Sequence, residues 1–87
     1  IAYMHNKAII AVSQSDELYV YGKDLHLMRF RNNLSRQKIC DRMKKKGFGY
    51  YPTKLLRYER CVCLLMSAHE LMCLIEALEA DFEIKPM

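Results

Sequence analysis

The stretch SRQKICDRMKKKGFGYYPTKLLRYER, residues 35–60, decides the fold that this sequence predicts. Ser35 is a good N-cap, because its hydroxyl can accept a hydrogen bond from the free amides of a helix that follows it. The lysine run 44–46 and Gly47 predict the end of that helix, since cations suit a helix C-terminus and glycine adopts a left-handed conformation readily. Pro52 suits the first position of the next helix, where its missing amide costs nothing. We therefore predict two short helices joined by a turn.

The residues before this stretch predict a β-hairpin and a first helix. Two short apolar runs, residues 8–12 and 18–21, flank a polar cluster and predict an antiparallel hairpin with a longer loop. Gly22 breaks that pattern, and an apolar stripe with a helical period follows it. The residues of this stripe are Leu25, Leu27, Met28 and Phe30.

The remaining apolar residues predict the inward faces of three further helices. Ser67 caps a fourth helix over residues 68–80, and Glu70 at its third position completes a capping box. The predicted inward residues are Ile39, Cys40 and Met43 in the second helix, Leu55 and Tyr58 in the third, and Ala68, Leu71, Leu74, Ile75 and Leu78 in the fourth. The predicted fold is mainly α, a four-helix helix-turn-helix domain with an N-terminal β-hairpin. The hairpin extension covers residues 1–22 and the helix-turn-helix domain covers residues 23–87, in one compact unit.

Length and composition restrict the class of protein. A chain of 87 residues supports one domain, and 52% hydrophobic with 28% charged residues is typical of a globular chain. The longest apolar runs are far shorter than the roughly 20 residues of a membrane span. No secretory signal is visible, so a cytoplasmic location is expected. The sequence lacks a nucleophile motif, paired carboxylates and a glycine-rich phosphate loop. We therefore expect a binding module without a cofactor or small-molecule substrate, and no enzyme.

The positive charge is concentrated in the middle of the chain. Residues 23–60 carry twelve Lys or Arg and three Asp or Glu, within a total net charge of +4. Residues 1–22 have a net charge of −1 and residues 61–87 a net charge of −4. A basic segment between acidic ends is typical of a protein that binds a polyanion, although a four-helix bundle with a solvated lysine-rich face would have the same composition.

The helix from Pro52 to Arg60 is predicted to read double-stranded DNA. A helix of this size can enter the major groove, where polar side chains near its N-terminus reach the base edges. The predicted base contacts are Tyr51, Thr53, Lys54 and Arg57. The predicted phosphate contacts are Arg36, Gln37, Lys44, Lys45, Lys46 and Tyr50. Contacts to phosphate are expected to supply most of the salt-dependent affinity.

Four short segments carry a resemblance to a known family. They are LSRQKIC at residues 34–40, LLRYER at 55–60, SAHEL at 67–71 and EAL at 76–78. Together they resemble the Xre/Cro, or phage repressor-like, helix-turn-helix family, over about residues 25–80. The RYER segment alone also resembles the second helix of the MerR family. That family needs a wing of strands before its next helix, and only a few residues separate Arg60 from Ser67, so this resemblance ranks second.

The Xre/Cro resemblance implies both a function and specific contacts. The implied function is that of a small transcriptional regulator, or an accessory DNA-binding protein, of a phage, a plasmid or a bacterial chromosome. Such proteins bind inverted repeats as homodimers. Gln37 resembles the contact glutamine of the family, displaced by one residue. An arginine of the first helix, Arg29 here, is implied to form an ion pair with Glu59. The sequence departs from the family pattern in having Cys61 in place of a glycine and a longer turn between the two helices.

Three alternatives concern the hairpin, the function class and the cysteines. The hairpin could widen the DNA footprint as a wing, or mediate a dimer through an edge strand. The whole chain could instead be a protein-interaction module, an antitoxin-like adaptor on a helix-turn-helix scaffold. It could also be a zinc- or redox-sensing regulator, because the set C-x-C-x5-H-x3-C supplies four zinc-ligand types. This set consists of Cys61, Cys63, His69 and Cys73, while Cys40 is expected to be a small core residue.

Overall fold

The fold is that of a computed structural model, which describes residues 9–14 and 17–86, with side chains over residues 17–81. Its elements are β1 (Ile9–Gln14), β2 (Glu17–Val20), α1 (Gly22–Arg31), α2 (Arg36–Lys45), α3 (Pro52–Arg60), β3 (Leu64–Ser67), α4 (Ala68–Leu78) and β4 (Phe82–Pro86). The four helices and the N-terminal antiparallel hairpin confirm the predicted mainly α fold. The strands β3 and β4 were not predicted.

The four strands form one sheet in the order β3-β2-β1-β4. The strand β2 pairs antiparallel with β1 on one side and antiparallel with β3 on the other, where Tyr19 lies opposite Leu65. The strand β1 pairs parallel with β4, starting with Ile9 opposite Phe82. Both strands of the hairpin therefore already have two neighbours. The alternative of a dimer through an edge strand of the hairpin is therefore not supported, because the edges of the sheet formed by the described residues are β3 and β4.

The strand β3 was missed because it is short and adjoins a helix cap. Leu64 and Met66 are buried while Leu65 is exposed, which is the period of two that a strand produces. Four residues are too few for this alternation to stand out beside the strong cap at Ser67. The segment after Arg60 therefore holds one strand before α4 begins.

The core lies between the sheet and the helices. The strands contribute Leu18, Val20, Leu64 and Met66, and the helices contribute Leu25, Ile39, Met43, Leu55, Leu71, Leu74 and Leu78, all of them buried. Cys40 is fully buried, as predicted for a small core residue.

Three residues predicted to face inward do not. Leu27 is 48% and Phe30 72% exposed, because both lie on the side of α1 away from Leu25 and Met28. Ala68 is exposed at the first position of α4, at the edge of the core.

The predicted helix ends are confirmed by hydrogen bonds and backbone angles. The hydroxyl of Ser35 accepts from the amide of Lys38, and that of Ser67 accepts from the amide of Glu70, each at 3.1 Å. These bonds satisfy amides that a helix N-terminus leaves free. Gly47 follows α2 with a φ of +97°, a left-handed conformation that glycine adopts without steric cost.

Gly22 brings α1 against the end of α3. A Cβ atom at this position would lie 2.3 Å from the carbonyl oxygens of Tyr58 and Cys61. Only glycine permits this approach, since real Cβ atoms essentially never come so close to backbone oxygen. The N-terminus of α1 thereby fixes the position of the helix that carries the predicted DNA contacts.

Candidate nucleic-acid interface

The exposed side of α3 is polar or positively charged. Thr53, Arg57 and Arg60 are exposed at a spacing of four and three residues, so they follow one another along one face of the helix. Leu55 is buried on the opposite side and anchors the helix in the core. Tyr51, just before the helix, is exposed as well. The structure therefore presents three of the four predicted base contacts, Tyr51, Thr53 and Arg57, to solvent.

Glu59 is the one acidic residue of α3, and its carboxylate is buried. Arg29 of α1 donates from Nε to Oε2 at 2.7 Å and from Nη2 to Oε1 at 3.2 Å. A third guanidinium nitrogen of Arg29, Nη1, donates to the carbonyl oxygen of Leu34 at 3.1 Å. The ion pair that the family resemblance implied is thus confirmed, in the bidentate geometry that makes arginine–carboxylate pairs strong.

Arg36 and His26 reach the same carboxylate. Arg36 donates from Nε at 3.1 Å and from Nη2 at 2.9 Å to Oε1 of Glu59. His26 places its Nδ1 3.1 Å from that oxygen. Burial by itself would raise the pKa of Glu59, but the hydrogen bonds from Arg29, His26 and Arg36 outweigh it and hold the pKa below its ordinary value. Glu59 is therefore a neutralised buried anion and contributes no exposed negative charge to the helix.

A cavity of about 280 Å³ opens beside this cluster. It is lined by His26, Arg36, Leu56, Glu59 and Arg60. The side chain of Arg36 is 32% exposed and that of His26 is 51% exposed. Because Arg29 already balances the single carboxylate, Arg36 and Arg60 leave the cavity with an excess of positive charge. A cavity of this kind suits an oxyanion.

Sequence reasoning missed His26 and Arg60 as candidate site residues. Nothing in the sequence near His26 indicates a catalytic partner, and the structure gives it Glu59 of α3 as a partner instead. The spacing of His26 and Arg29 could have indicated the role of His26. Residues three apart on a helix lie on the same face and can contact the same neighbouring side chain.

Tyr50 is not available as a phosphate contact. It is 1% exposed, and its hydroxyl donates to Oε2 of Glu70 at 2.5 Å. Its ring meets the ring of Tyr58 edge-on at 5.8 Å. Burial, followed by the bond to Glu70, raises the pKa of the Tyr50 phenol. This predicted contact is wrong, because the hydroxyl is used inside the protein to join the loop before α3 to the first turn of α4.

Lys54 is half-buried and lies against the same aromatic residues. Its Nζ donates to the carbonyl oxygen of Gly49 at 3.2 Å and lies 4.9 Å from the ring centre of Tyr50. A cation in this position interacts favourably with the face of the ring. A base contact from Lys54, as predicted, requires the side chain to give up these interactions.

The predicted phosphate contacts on α2 and at its C-cap differ in their surroundings. Lys44 and Lys45 are exposed. Lys46 forms an ion pair with Glu76 of α4, which raises the pKa of the lysine through its hydrogen bond and charge. Lys46 is exposed as well, and a phosphate contact from it requires the ammonium to leave this exposed ion pair. Gln37 is exposed and donates to Asp41 at 2.9 Å.

The four candidate zinc ligands do not form a site. Cys61 and Cys63 are exposed, whereas Cys73 is buried. The ring of His69 packs against Phe48, with ring centres 5.5 Å apart. Over the part of the chain that the structure describes, no three His, Cys, Asp or Glu side chains come together as metal ligands. The strand β3 and its turn into α4 separate Cys63 from His69, so the spacing in sequence does not become proximity in space.

Within the described residues, no helix combines the length and the hydropathy required to cross a bilayer. The chain matches no protein-family model, no curated protein and no solved structure at a significant level.

Proposed function

We propose that this protein binds double-stranded DNA in a sequence-specific manner, with α3 in the major groove. The observation that carries the proposal is the burial of Glu59 beneath an exposed row of Thr53, Arg57 and Arg60. An exposed carboxylate on this helix would repel the phosphate backbone. Its burial and its ion pair with Arg29 leave only neutral and cationic groups on the exposed face.

The dimensions of α3 fit this use. A helix of nine residues is about 14 Å long and 10–12 Å wide, and the major groove is about 12 Å wide. The exposed row can therefore face the bases while Leu55 stays in the core. In this arrangement Arg57 contacts guanine through two hydrogen bonds, the commonest specific contact in protein–DNA complexes. Thr53 and Tyr51 lie at the N-terminal end of the helix, which is the end that contacts bases in helix-turn-helix proteins.

Phosphate groups bind at two places, one on each side of α3. The cavity of His26, Arg36 and Arg60 accepts one phosphate beside the C-terminal end of the helix. The exposed Lys44 and Lys45 accept others at the end of α2. Phosphate contacts fix the register of the protein on DNA and make the affinity depend on salt. The biological role we infer is that of a small transcriptional regulator or an accessory DNA-binding protein, acting as a homodimer on two half-sites.

The test is a titration of labelled duplex by fluorescence anisotropy at low and at physiological salt. The duplex is first selected from a random library, and a scrambled duplex serves as the reference. Arg57→Ala is expected to lower the preference for the selected duplex, at a cost of about 1–3 kcal/mol. Lys45→Ala is expected to weaken both duplexes alike and to reduce the salt slope by about one.

Arg31→Ala is the matched control. Arg31 is exposed at the C-terminal end of α1, where the neighbouring Asn32 bonds to the carbonyl oxygen of Leu78 in α4 rather than to α3. An effect of Arg31→Ala as large as that of Arg57→Ala, or no binding to any duplex at low salt, contradicts the proposal.

A second candidate function is that of a protein-interaction adaptor. The exposed Leu27 and Phe30 on α1 favour it, because they lie one turn apart and form an apolar patch on a helix that could pack on a partner. This function replaces DNA binding if no duplex binds at low salt and Phe30→Ala abolishes capture of a partner protein that the wild type retains.

A further inference from the structure

The two edges of the sheet differ in how well they are protected against pairing. The strand β4 reads FEIKP and carries Glu83, Lys85 and Pro86. Charges and proline are the residue types with which proteins prevent a strand edge from pairing with another chain. The strand β3 reads LLMS and carries neither, and the segment before it, residues 61–63, is also uncharged. The edge at β3 therefore lacks both the charges and the proline that β4 carries.

The backbone of this edge has no partner in the part of the chain that the structure describes. The strand β3 pairs with β2 alone. Leu65, opposite Tyr19 on β2, is 49% exposed, and Val62 just before the strand is 84% exposed. Unpaired amides and carbonyls thus lie between exposed apolar side chains, an arrangement that favours the addition of another strand.

We infer that β3 pairs antiparallel with β3 of a second copy of this chain. Two identical strands related by a two-fold axis are complementary to each other by construction, and the pair joins two uncharged sequences without bringing like charges together. A partner of a different sequence has no such argument in its favour. The result is one continuous sheet of eight strands that crosses the dimer.

The alternation of burial restricts the register. Residues opposite each other in an antiparallel pair lie on the same face of a sheet. Leu64 and Met66 are on the core face, and Leu65 and Ser67 are on the outer face. A core-face residue must therefore lie opposite a core-face residue of the second copy, and an outer-face residue opposite an outer-face residue. The register with Leu65 opposite Leu65 satisfies this condition and pairs residues 63–67, the whole strand. It places the two Leu65 side chains side by side, between the two Tyr19 residues.

The first experiment measures the oligomeric state without DNA, so its result is separate from that of the proposed function. Sedimentation equilibrium of the wild-type chain, from low micromolar to submillimolar concentration, is expected to show a monomer–dimer equilibrium. Leu65→Lys is expected to weaken the dimer about tenfold or more. Leu27→Lys is the matched control, because Leu27 is also a half-exposed leucine, 48% against 49%, but lies on α1. A monomer throughout, or an equal effect of both variants, overturns the inference.

The second experiment tests the register. Leu65→Cys, in a background with Cys61→Ser and Cys63→Ser, is expected to form a covalent dimer on mild oxidation, while Leu27→Cys in the same background stays monomeric. Amide hydrogen exchange of the wild type supplies a measurement that needs no variant. The outward amides of β3 are expected to exchange more slowly as the protein concentration rises. Exchange that does not depend on concentration, or equal cross-linking of both cysteine variants, overturns the pairing.

Discussion

Arg29 and Glu59 lie 30 residues apart in the sequence and meet through Nε and Oε2 at 2.7 Å. This ion pair joins the last turn of α1 to the last turn of α3. Arg36 at the start of α2 donates to the same carboxylate, so one buried group connects all three helices of the candidate interface. The position of the exposed face of α3 depends on this connection as much as on the apolar core.

Glu59→Gln is expected to destabilise the protein strongly. The neutral amide cannot compensate the charges of Arg29 and Arg36, and breaking one partner of a buried ion pair costs about 3–5 kcal/mol. Urea denaturation measures the change. The control is Glu79→Gln, which breaks the exposed pair between Glu79 and Arg42 and should cost less than about 1 kcal/mol. Similar losses in the two variants would show that the Glu59 cluster has no special role.

When the pH is lowered below about 5, we expect the free energy of unfolding to decrease, and part of this decrease depends on Glu59. The pKa of Glu59 is lower in the folded protein than in the unfolded chain, where it is about 4.3. The ionised Glu59 therefore contributes fully to the free energy of unfolding at pH values above its pKa in the unfolded chain. This contribution is lost as the pH falls toward its pKa in the folded protein. Urea denaturation at a series of acidic pH values should give a steeper slope for the wild type than for Glu59→Gln. Glu76 also has a lowered pKa but is present in both proteins, so the difference isolates Glu59. Parallel slopes would contradict the prediction.

Tyr50→Phe separates a structural role from a DNA contact. The variant keeps the ring against Tyr58 but removes the hydrogen bond to Glu70, at an expected cost of about 1–3 kcal/mol in unfolding free energy. It should leave the salt slope of DNA binding unchanged, because the buried hydroxyl cannot reach a phosphate. Tyr51→Phe, at an exposed position, should leave stability unchanged. A reduced salt slope in Tyr50→Phe would show that the Tyr50 hydroxyl does contact a phosphate.

Gly22→Ala is expected to displace α1 from α3. The added methyl group would overlap the carbonyl oxygens of Tyr58 and Cys61, which are backbone atoms that cannot move away cheaply. We expect a loss of about 1–3 kcal/mol, as for other overpacked sites, and a matching loss of DNA affinity. Gly49→Ala is the control, since no atom of the described residues outside its immediate chain neighbours lies within 4 Å of the place that the added methyl group would take. Thermal unfolding and duplex titration on both variants make the comparison.

The helices could be predicted from sequence because local signals define their ends. Ser35, Gly47, Pro52 and Ser67 each act within a few residues of their own position, and the structure places a helix boundary at each. The pair Arg29–Glu59 was predictable only through family resemblance, because no local rule links residues 30 positions apart.

The sheet could not be predicted beyond the hairpin. Pairing between β2 and β3, or between β1 and β4, is a long-range property that four or five residues do not encode by themselves. The same limit explains why the burial of Tyr50 was not predicted. An aromatic residue before a helix can point to solvent or into the core, and the choice depends on Glu70, which is 20 residues away.

The parallel ladder of β1 and β4 joins Ile9 to Phe82, which are 73 residues apart. Contacts between such distant positions require a large loop to close, and they slow folding relative to contacts within helices. We expect the helices to form early and the β1–β4 ladder to form last. During synthesis, the chain therefore has β1, β2 and β3 available before residues 82–86 leave the ribosome. The strand β4 is added to the sheet only after that.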